Sequence, residues 1–133
     1  MLKVEHLGFA VKNLTASEEL YNQLLGIEPY KHEKVEGEQV TTSFYRVGEV
    51  KIELLEATAE DSAIATFIEK KGEGLHHVAF EVEDINQEIQ RLKNLNFHIL
   101  YEEPKRGADN KWVTFIHPKS AGGVLIELCQ EIK

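Results

Sequence analysis

The first 56 residues alternate between apolar and polar positions with periods that predict one helix and four strands. Residues 3–11 alternate with a period of two, which is typical of a half-buried strand. Apolar positions then recur at helical spacing over residues 16–25, after the cap-type residues 13–15 and before Gly26. Strand-like segments follow at 28–35, 40–47 and 50–56, separated by Gly37 and Gly48. This order predicts a βαβββ unit.

The second half of the chain repeats this order after a short connector. Residues 61–71 carry an amphipathic helical pattern, and glycines at positions 72 and 74 end it. The elements predicted next are strand 75–82, helix 85–95 capped by Asp84, strand 97–101, a polar loop at 102–111, and strands 112–117 and 124–128. We therefore expect one domain, 1–133, built from two repeats, about 1–58 and 74–133, with a connector helix at about 61–72.

The two repeats carry the same chemical groups. Residues 4–11 align with 75–82, which pairs His6 with His77, and residues 51–55 align with 125–129, which pairs Glu53 with Glu127. A single His or Glu on a strand is usually a surface residue or one satisfied by its neighbours. Two such pairs in register with a repeat predict instead that all four side chains bind one divalent metal ion.

Strand parity predicts which face of each strand carries these groups. His6 shares its face with two small residues, whereas the bulky side chains of its strand point toward the helix. His77 has the same parity as His6, but the adjacent His76 lies with the bulky residues. Glu53 and Glu127 each lie opposite the apolar face of their strand. We predict an α+β fold in which two tandem βαβββ modules form a curved mixed sheet around a metal cleft, with helices on the outer face.

This ligand set favours particular ions and a particular kind of chemistry. Two imidazoles and two carboxylates suit Co²⁺, Mn²⁺, Ni²⁺ or Zn²⁺. Four protein ligands leave two positions of an octahedral ion for substrate oxygens. Such an ion acts as a Lewis acid and stabilises the enolate that forms when a proton is removed next to a carbonyl.

Composition excludes several other classes of function. The chain has 133 residues, of which 42% are hydrophobic, enough for one ordinary core. Cys129 is the only cysteine, so an internal disulfide is excluded, and the first residues do not resemble a signal peptide. We therefore predict a cytoplasmic protein. No apolar run approaches the roughly 18 residues of a membrane helix. A net charge of −8 argues against nucleic acid as a partner.

Four segments of the chain resemble a known family. The repeat with His and Glu on its first and last strands is similar to the vicinal oxygen chelate superfamily, to which glyoxalase I belongs. Within it, the resemblance is to the methylmalonyl-CoA epimerases and extends over essentially the whole chain. The segments that carry it are 6–11, 74–80, 102–108 and 117–128, of which the last is the most specific.

The resemblance implies an activity and roles for individual residues. It implies metal-dependent interconversion of the 2R and 2S epimers of methylmalonyl-CoA, by removal and return of the C2 proton through a metal-stabilised enolate. It assigns His6, Glu53, His77 and Glu127 to the metal. Glu127 is one acid/base candidate, and Glu53 is the second, because strand 40–44 lacks the glutamate that serves as a base in some relatives.

Further expectations concern the coenzyme, the neighbours of the site and the assembly. Glu38 and Gln39, near Glu53 in the predicted module, are alternative groups for the second role. Lys105, Arg106, Lys111 and Lys119 are candidates for the CoA phosphates, although several surface lysines and arginines are usually only solvated. Trp112 and Phe115 are expected in the core, and His32 and His117 are expected to be structural. The family is commonly dimeric, which implies a homodimer.

Three alternatives stay open at the level of sequence. A glyoxalase I-type isomerase uses the same metal scaffold and also moves a proton beside a carbonyl. A non-catalytic small-molecule-binding protein of this fold would lack the metal ligands, which the chain retains. Iron-dependent ring-cleaving dioxygenases share the superfamily but resemble a three-ligand set on larger chains.

Overall fold

A computed structural model describes residues 1–133 and has the predicted α+β class. The chain contains eight strands, and each half follows the order βαβββ, so the predicted architecture of two modules is confirmed. The elements are β1 (Lys3–Ala10), α1 (Leu14–Leu25), β2 (Lys31–Val35), β3 (Val40–Val47), β4 (Val50–Ala57), α2 (Ala63–Lys71), β5 (Gly74–Glu81), α3 (Ile85–Asn94), β6 (Lys105–Gly107), β7 (Lys111–Ile116) and β8 (Leu125–Glu131).

The chain divides into two compact units. The N-terminal unit comprises His6–His76, and the C-terminal unit comprises Met1–Glu5 together with His77–Lys133. The repeat boundaries near residues 58 and 74 stay predictions. None of the helices is long and apolar enough to cross a membrane, and the cytoplasmic location stays a prediction.

In the N-terminal unit the strands lie in the order β2-β3-β4-β1, with β1 parallel to β4 and the other pairs antiparallel. A core on one face of this sheet contains Val11, Leu14, Tyr45 and Leu54, and Phe9 packs against it. Leu14 belongs to α1, so the bulky face of β1 is covered by this helix, as the alternation predicted. The opposite face is left for the polar groups of β1 and β4.

Helix α1 begins two residues earlier than predicted because Asn13 is its N-cap. The Asn13 side chain accepts a hydrogen bond from the backbone N–H of Ala16 at 2.9 Å, which satisfies one free donor of the first turn. Glu56 accepts another, from the N–H of Leu14, at 2.8 Å. The helix ends at Leu25, and Gly26 caps it with a φ of 71°, in the left-handed region that favours glycine.

The C-terminal unit has the corresponding order β5-β8-β7-β6, with β5 parallel to β8. Its core lies between α3 and the sheet and includes Ile85, Ile89, Leu92 and Leu128. Asp84 is the N-cap of α3, as predicted, and accepts from the N–H of Gln87 at 3.1 Å.

One predicted strand in this unit is wrong. Residues 97–101 make only an isolated bridge, Ile99 to Ile116, and the strand of this position is β6, inside the predicted polar loop. The hydroxyl of Thr114 donates to the carbonyl of Tyr101 at 2.6 Å, so a side chain replaces the ladder there. The β6–β7 hairpin turns through Asp109 and Asn110, whose φ values of 61° and 56° suit these two residue types.

Candidate functional site

In the N-terminal unit the structure brings His6 and Glu53 together. Their strands are parallel neighbours, and Glu53 is directly paired with Gly8, two residues beyond His6 on the same face. Because Gly8 has no side chain, the carboxylate can reach the imidazole. The Nε2 atom of His6 lies 3.3 Å from Oε1 of Glu53, and the two residues are only 6% and 4% exposed.

The C-terminal unit repeats this arrangement with His77 and Glu127. Glu127 on β8 is paired with Ala79 on β5, again a small residue two positions beyond the histidine. The Nε2 atom of His77 lies 3.3 Å from Oε1 of Glu127, and both residues are buried. His76 points elsewhere, with its ring centroid 4.9 Å from that of Phe67 on α2. The structure therefore places His77, rather than His76, beside the glutamate.

These two His–Glu pairs have the chemistry and spacing of metal ligands. Two ligand atoms held about 2.1 Å from one ion stand roughly 3.0 to 3.4 Å apart, depending on the coordination geometry. Both pairs fall within that range. A buried carboxylate is costly unless it is paired or bound to a cation, so burial of Glu53 and Glu127 beside imidazoles also fits an ion.

Glu38 and Gln39, the alternatives predicted for the second acid/base role, lie just before β3. Glu38 lies in a short 3-10 helix, Glu36–Glu38, before β3. The side-chain amide of Gln39 donates to Asp61 at 3.2 Å. On β3 itself, the Ser43 hydroxyl donates to Glu18 on α1 at 2.6 Å. Within the N-terminal unit, Glu53 is the carboxylate that the structure brings to His6.

The predicted phosphate-binding residues lie in the β6–β7 hairpin or shortly after it, and all but one are exposed. Lys105 and Arg106 are exposed on β6, where Lys105 Nζ lies 4.1 Å from the Tyr101 ring centroid and the Arg106 guanidinium 5.4 Å from that of Trp112. Lys119 is exposed in the 3-10 helix Pro118–Ser120. Lys111 on β7, in contrast, is only 4% exposed and forms ion pairs with Glu81 on β5 and Glu131 on β8, so it is not available to a phosphate.

Two aromatic residues near the C-terminal pair were not predicted as part of the site. Phe115, expected in the core, is half-buried, and its ring contacts the His77 imidazole edge to face at 6.2 Å. Tyr101 contacts Phe115 in turn at 6.1 Å. The sequence did contain a signal, because Tyr30 and Phe44 occupy the corresponding positions 71 residues earlier. Trp112 packs against the α3 core, as expected.

The surroundings of His32, His117 and Cys129 indicate structural rather than catalytic roles. The His32 ring contacts Glu18, and the His117 ring stacks on His98 with centroids 5.0 Å apart. Burial, followed by the charge of Glu127, raises the pKa of the Cys129 thiol far above its ordinary range. Cys129 is therefore a neutral packing residue rather than a nucleophile.

Comparisons with known proteins give a consistent picture. Residues 5–115 match the family model of the Glyoxalase/Bleomycin resistance protein/Dioxygenase superfamily. The chain is 40% identical over 130 residues to the ethylmalonyl-CoA/methylmalonyl-CoA epimerase of Cereibacter sphaeroides, covering 96% of this chain and 97% of that protein. It is 40% identical over 129 residues to the mitochondrial methylmalonyl-CoA epimerase of Bos taurus, covering 96% and 74%.

A solved structure is similar over nearly the same length. It is that of a Streptomyces coelicolor methylmalonyl-CoA epimerase variant in complex with 2-nitronate-propionyl-CoA, with a TM-score of 0.95 and 34% identity. The match covers 98% of this chain and 95% of that one. Sequence and backbone therefore point to the same group of proteins.

Proposed function

Because the chain belongs to the glyoxalase/bleomycin resistance protein/dioxygenase superfamily, we propose that it is an enzyme that interconverts (2R)- and (2S)-methylmalonyl-CoA. The observation that carries this proposal is the match to methylmalonyl-CoA epimerases over nearly the full chain, in sequence and in fold. The resemblance predicted from the sequence is confirmed. The activity is an isomerisation in which C2 loses a proton and regains one from the opposite face.

We propose that His6, Glu53, His77 and Glu127 bind one divalent metal ion. In each unit the histidine and the glutamate are both buried, which supports the proposal. The 3.3 Å spacing within each His–Glu pair also fits two ligands of one ion. Imidazole and carboxylate ligands favour Co²⁺, Mn²⁺, Ni²⁺ or Zn²⁺. A bound ion would act as a Lewis acid and stabilise the negative charge that develops when the C2 proton is removed.

The protein's own groups must move the proton. Epimerisation needs an acid/base group on each side of the planar enolate, and both must lie within reach of C2. We assign these roles to Glu127 and Glu53, one carboxylate from each repeat. Both carboxylates are buried, which limits their contact with bulk water.

The coenzyme A portion carries phosphates, and an acidic protein needs local positive charge to bind them. We propose that Lys105, Arg106 and Lys119 supply it. Lys105 and Arg106 are exposed, and each rests on an aromatic ring that limits its conformational freedom.

We also propose that the enzyme is a homodimer, which light scattering of the purified protein tests.

Deuterium exchange at C2 tests the proposed activity. The Co²⁺-loaded protein is incubated in D₂O with (2R)-methylmalonyl-CoA, and mass spectrometry and chiral analysis follow the label and the epimer ratio. We expect deuterium incorporation together with formation of the 2S epimer. Protein that binds Co²⁺ but catalyses no exchange would contradict the proposal. Turnover of a glutathione hemithioacetal in its place would identify a glyoxalase I-type isomerase.

A further inference from the structure

An aromatic pair occurs at the same place in both repeats. Tyr30 and Phe44 have ring centroids 6.1 Å apart in the N-terminal unit, and Tyr101 and Phe115 have the same separation in the C-terminal unit. The members of the two pairs are 71 positions apart in the sequence, the same spacing as the two histidines of the site. The aromatic pair therefore belongs to the duplicated module.

Strand register places each phenylalanine beside a glutamate of the site. Phe44 on β3 is directly opposite Glu53 on β4, and Phe115 on β7 is directly opposite Glu127 on β8. Directly opposed residues of antiparallel strands point to the same face and have Cβ atoms about 5 Å apart. Each glutamate thus has a phenyl ring as its neighbour on its own face.

In the C-terminal unit this phenyl ring also contacts the histidine. The rings of Phe115 and His77 are perpendicular, at an interplanar angle of 90°. Phe115 is held in turn by the small apolar cluster of Ala79, Val113 and Cys129, against which it packs. A rotation of the imidazole about its side-chain bonds would break this edge-to-face contact, so the contact restricts the ring plane of His77.

Tyr101 extends the support outward from Phe115. Its ring meets Phe115 at 80°, and Lys105 Nζ covers it at 4.1 Å. Its backbone is fixed by Thr114, which accepts from the Tyr101 N–H at 3.3 Å and donates to the Tyr101 carbonyl at 2.6 Å. A continuous series of contacts therefore links Lys105, on the exposed strand β6, to the buried imidazole of His77.

We propose that Phe115, supported by Tyr101, is a positioning residue that fixes the imidazole of His77 for metal binding. This inference rests on the proposed function only in taking His77 as a metal ligand. Groups that orient a ligand from outside the coordination sphere commonly change metal affinity by about 10- to 100-fold when they are removed. Here the orienting contact is a ring edge rather than a hydrogen bond, so the lower end of that range applies.

The experiment compares variants in Co²⁺ affinity by calorimetry, in the visible absorption of bound Co²⁺, and in kcat and KM. We expect Phe115→Leu to weaken Co²⁺ binding about tenfold, to alter the absorption bands, and to lower kcat more than it raises KM. Tyr101→Leu should weaken Co²⁺ binding about threefold. The conservative Tyr101→Phe keeps the ring and should therefore retain the wild-type Co²⁺ affinity. If Phe115→Leu does not fold, the Tyr101 variants decide.

Phe97→Leu is the matched control, because Phe97 is also half-buried in the C-terminal unit but packs against the α3 core on the other face. A folded Phe115→Leu protein with wild-type Co²⁺ affinity would overturn the inference. So would an equal loss in Phe97→Leu, or a wild-type protein that does not bind Co²⁺. If the wild-type protein binds Co²⁺ but does not epimerise methylmalonyl-CoA, the proposed function fails and the affinities still decide the positioning role.

Discussion

The Nε2 atom of His77 lies 3.3 Å from the Oε1 atom of Glu127, and both side chains are buried. The contact arises from local sequence, because Glu127 is paired with the small Ala79, two residues beyond the histidine. Burial of a carboxylate in this position is favourable only with a compensating positive charge. A protonated histidine or a metal ion can provide that charge, and the two possibilities predict different results for a substitution.

Replacing Glu127 separates these possibilities. Glu127→Gln keeps the shape of the side chain and one oxygen that can bind the ion but removes its charge, and we expect Co²⁺ affinity to fall about tenfold and exchange at C2 by at least about 100-fold. Calorimetry and the deuterium assay measure the two effects. Glu83→Gln, an exposed position in the same unit, is the control and should match the wild-type protein. An unchanged Co²⁺ affinity in Glu127→Gln would show that the charge of Glu127 does not contribute to metal binding.

Metal removal should lower the stability of the folded protein. An ion at 100 times its dissociation constant stabilises the folded state by about 2.7 kcal/mol, which corresponds to a Tm change of roughly 5 to 10 °C for a domain of this size. We expect this shift when Co²⁺ is added to chelator-treated protein, as followed by calorimetric unfolding. His77→Ala should abolish the shift, whereas the exposed His98→Ala should retain it. An equal shift in both variants would place the ion elsewhere.

The sequence predicted the strands that form the site well, because the alternation of side chains between the two faces of a strand is a local property. Alternation alone separated His77 from His76 and put the bulky residues of β1 toward α1, and the structure has both features. Asn13 and Asp84 act as N-caps through contacts three residues away, which are also visible in sequence. Features of this kind need no knowledge of tertiary packing.

The sequence did not predict strand β6, because its turn signal is weak. It also did not predict the contact of Phe115 with His77, because that contact depends on a partner distant in sequence. Residues 97–101 have strand-like composition, but the Thr114 side chain takes the Tyr101 backbone groups out of a regular ladder. The position of Phe115 beside His77 follows from the β7–β8 register, which hydrophobicity does not specify. Comparison of the two repeats would have drawn attention to it, because Phe44 has the same register to Glu53.

Tyr45 should make stability depend on pH in the alkaline range. Burial, and then the charges of Glu18 and Glu28, raise the pKa of Tyr45 from 10.0 to about 12. Its contribution is therefore complete below pH 10 and is lost as the pH rises toward 12, because the unfolded state releases the proton first. We expect Tyr45→Phe to reduce the fall in unfolding free energy over this interval, measured by urea denaturation. Tyr30→Phe, at a residue that is 43% exposed, is the control. An identical pH profile for Tyr45→Phe and wild type would contradict this prediction.

Lys105 and Arg106 should affect binding of the coenzyme rather than the chemical step. Removal of both charges, as Lys105→Ala with Arg106→Ala, should raise KM for methylmalonyl-CoA about 10-fold or more at low salt and leave kcat nearly unchanged. The effect should shrink as salt is added, because exposed charges are screened. Methylmalonyl-pantetheine, which lacks the nucleotide phosphates, should show no such change. Lys70→Ala, an exposed lysine on α2, is the control, and equal effects on both substrates would argue against phosphate binding.

Glu53 distinguishes a ligand from a proton-transfer group. Glu53→Gln keeps an oxygen that can bind the ion but cannot accept a proton. If Glu53 acts at one face of C2, Co²⁺ affinity should stay within about tenfold of wild type while epimerisation falls about 10²- to 10⁴-fold. In D₂O, the variant should then exchange the C2 proton of one epimer, through Glu127, without forming the other. Glu49→Gln, exposed at the turn before β4, is the control. Exchange from both epimers at the wild-type rate would leave Glu53 as a ligand alone and assign the second proton transfer to another group.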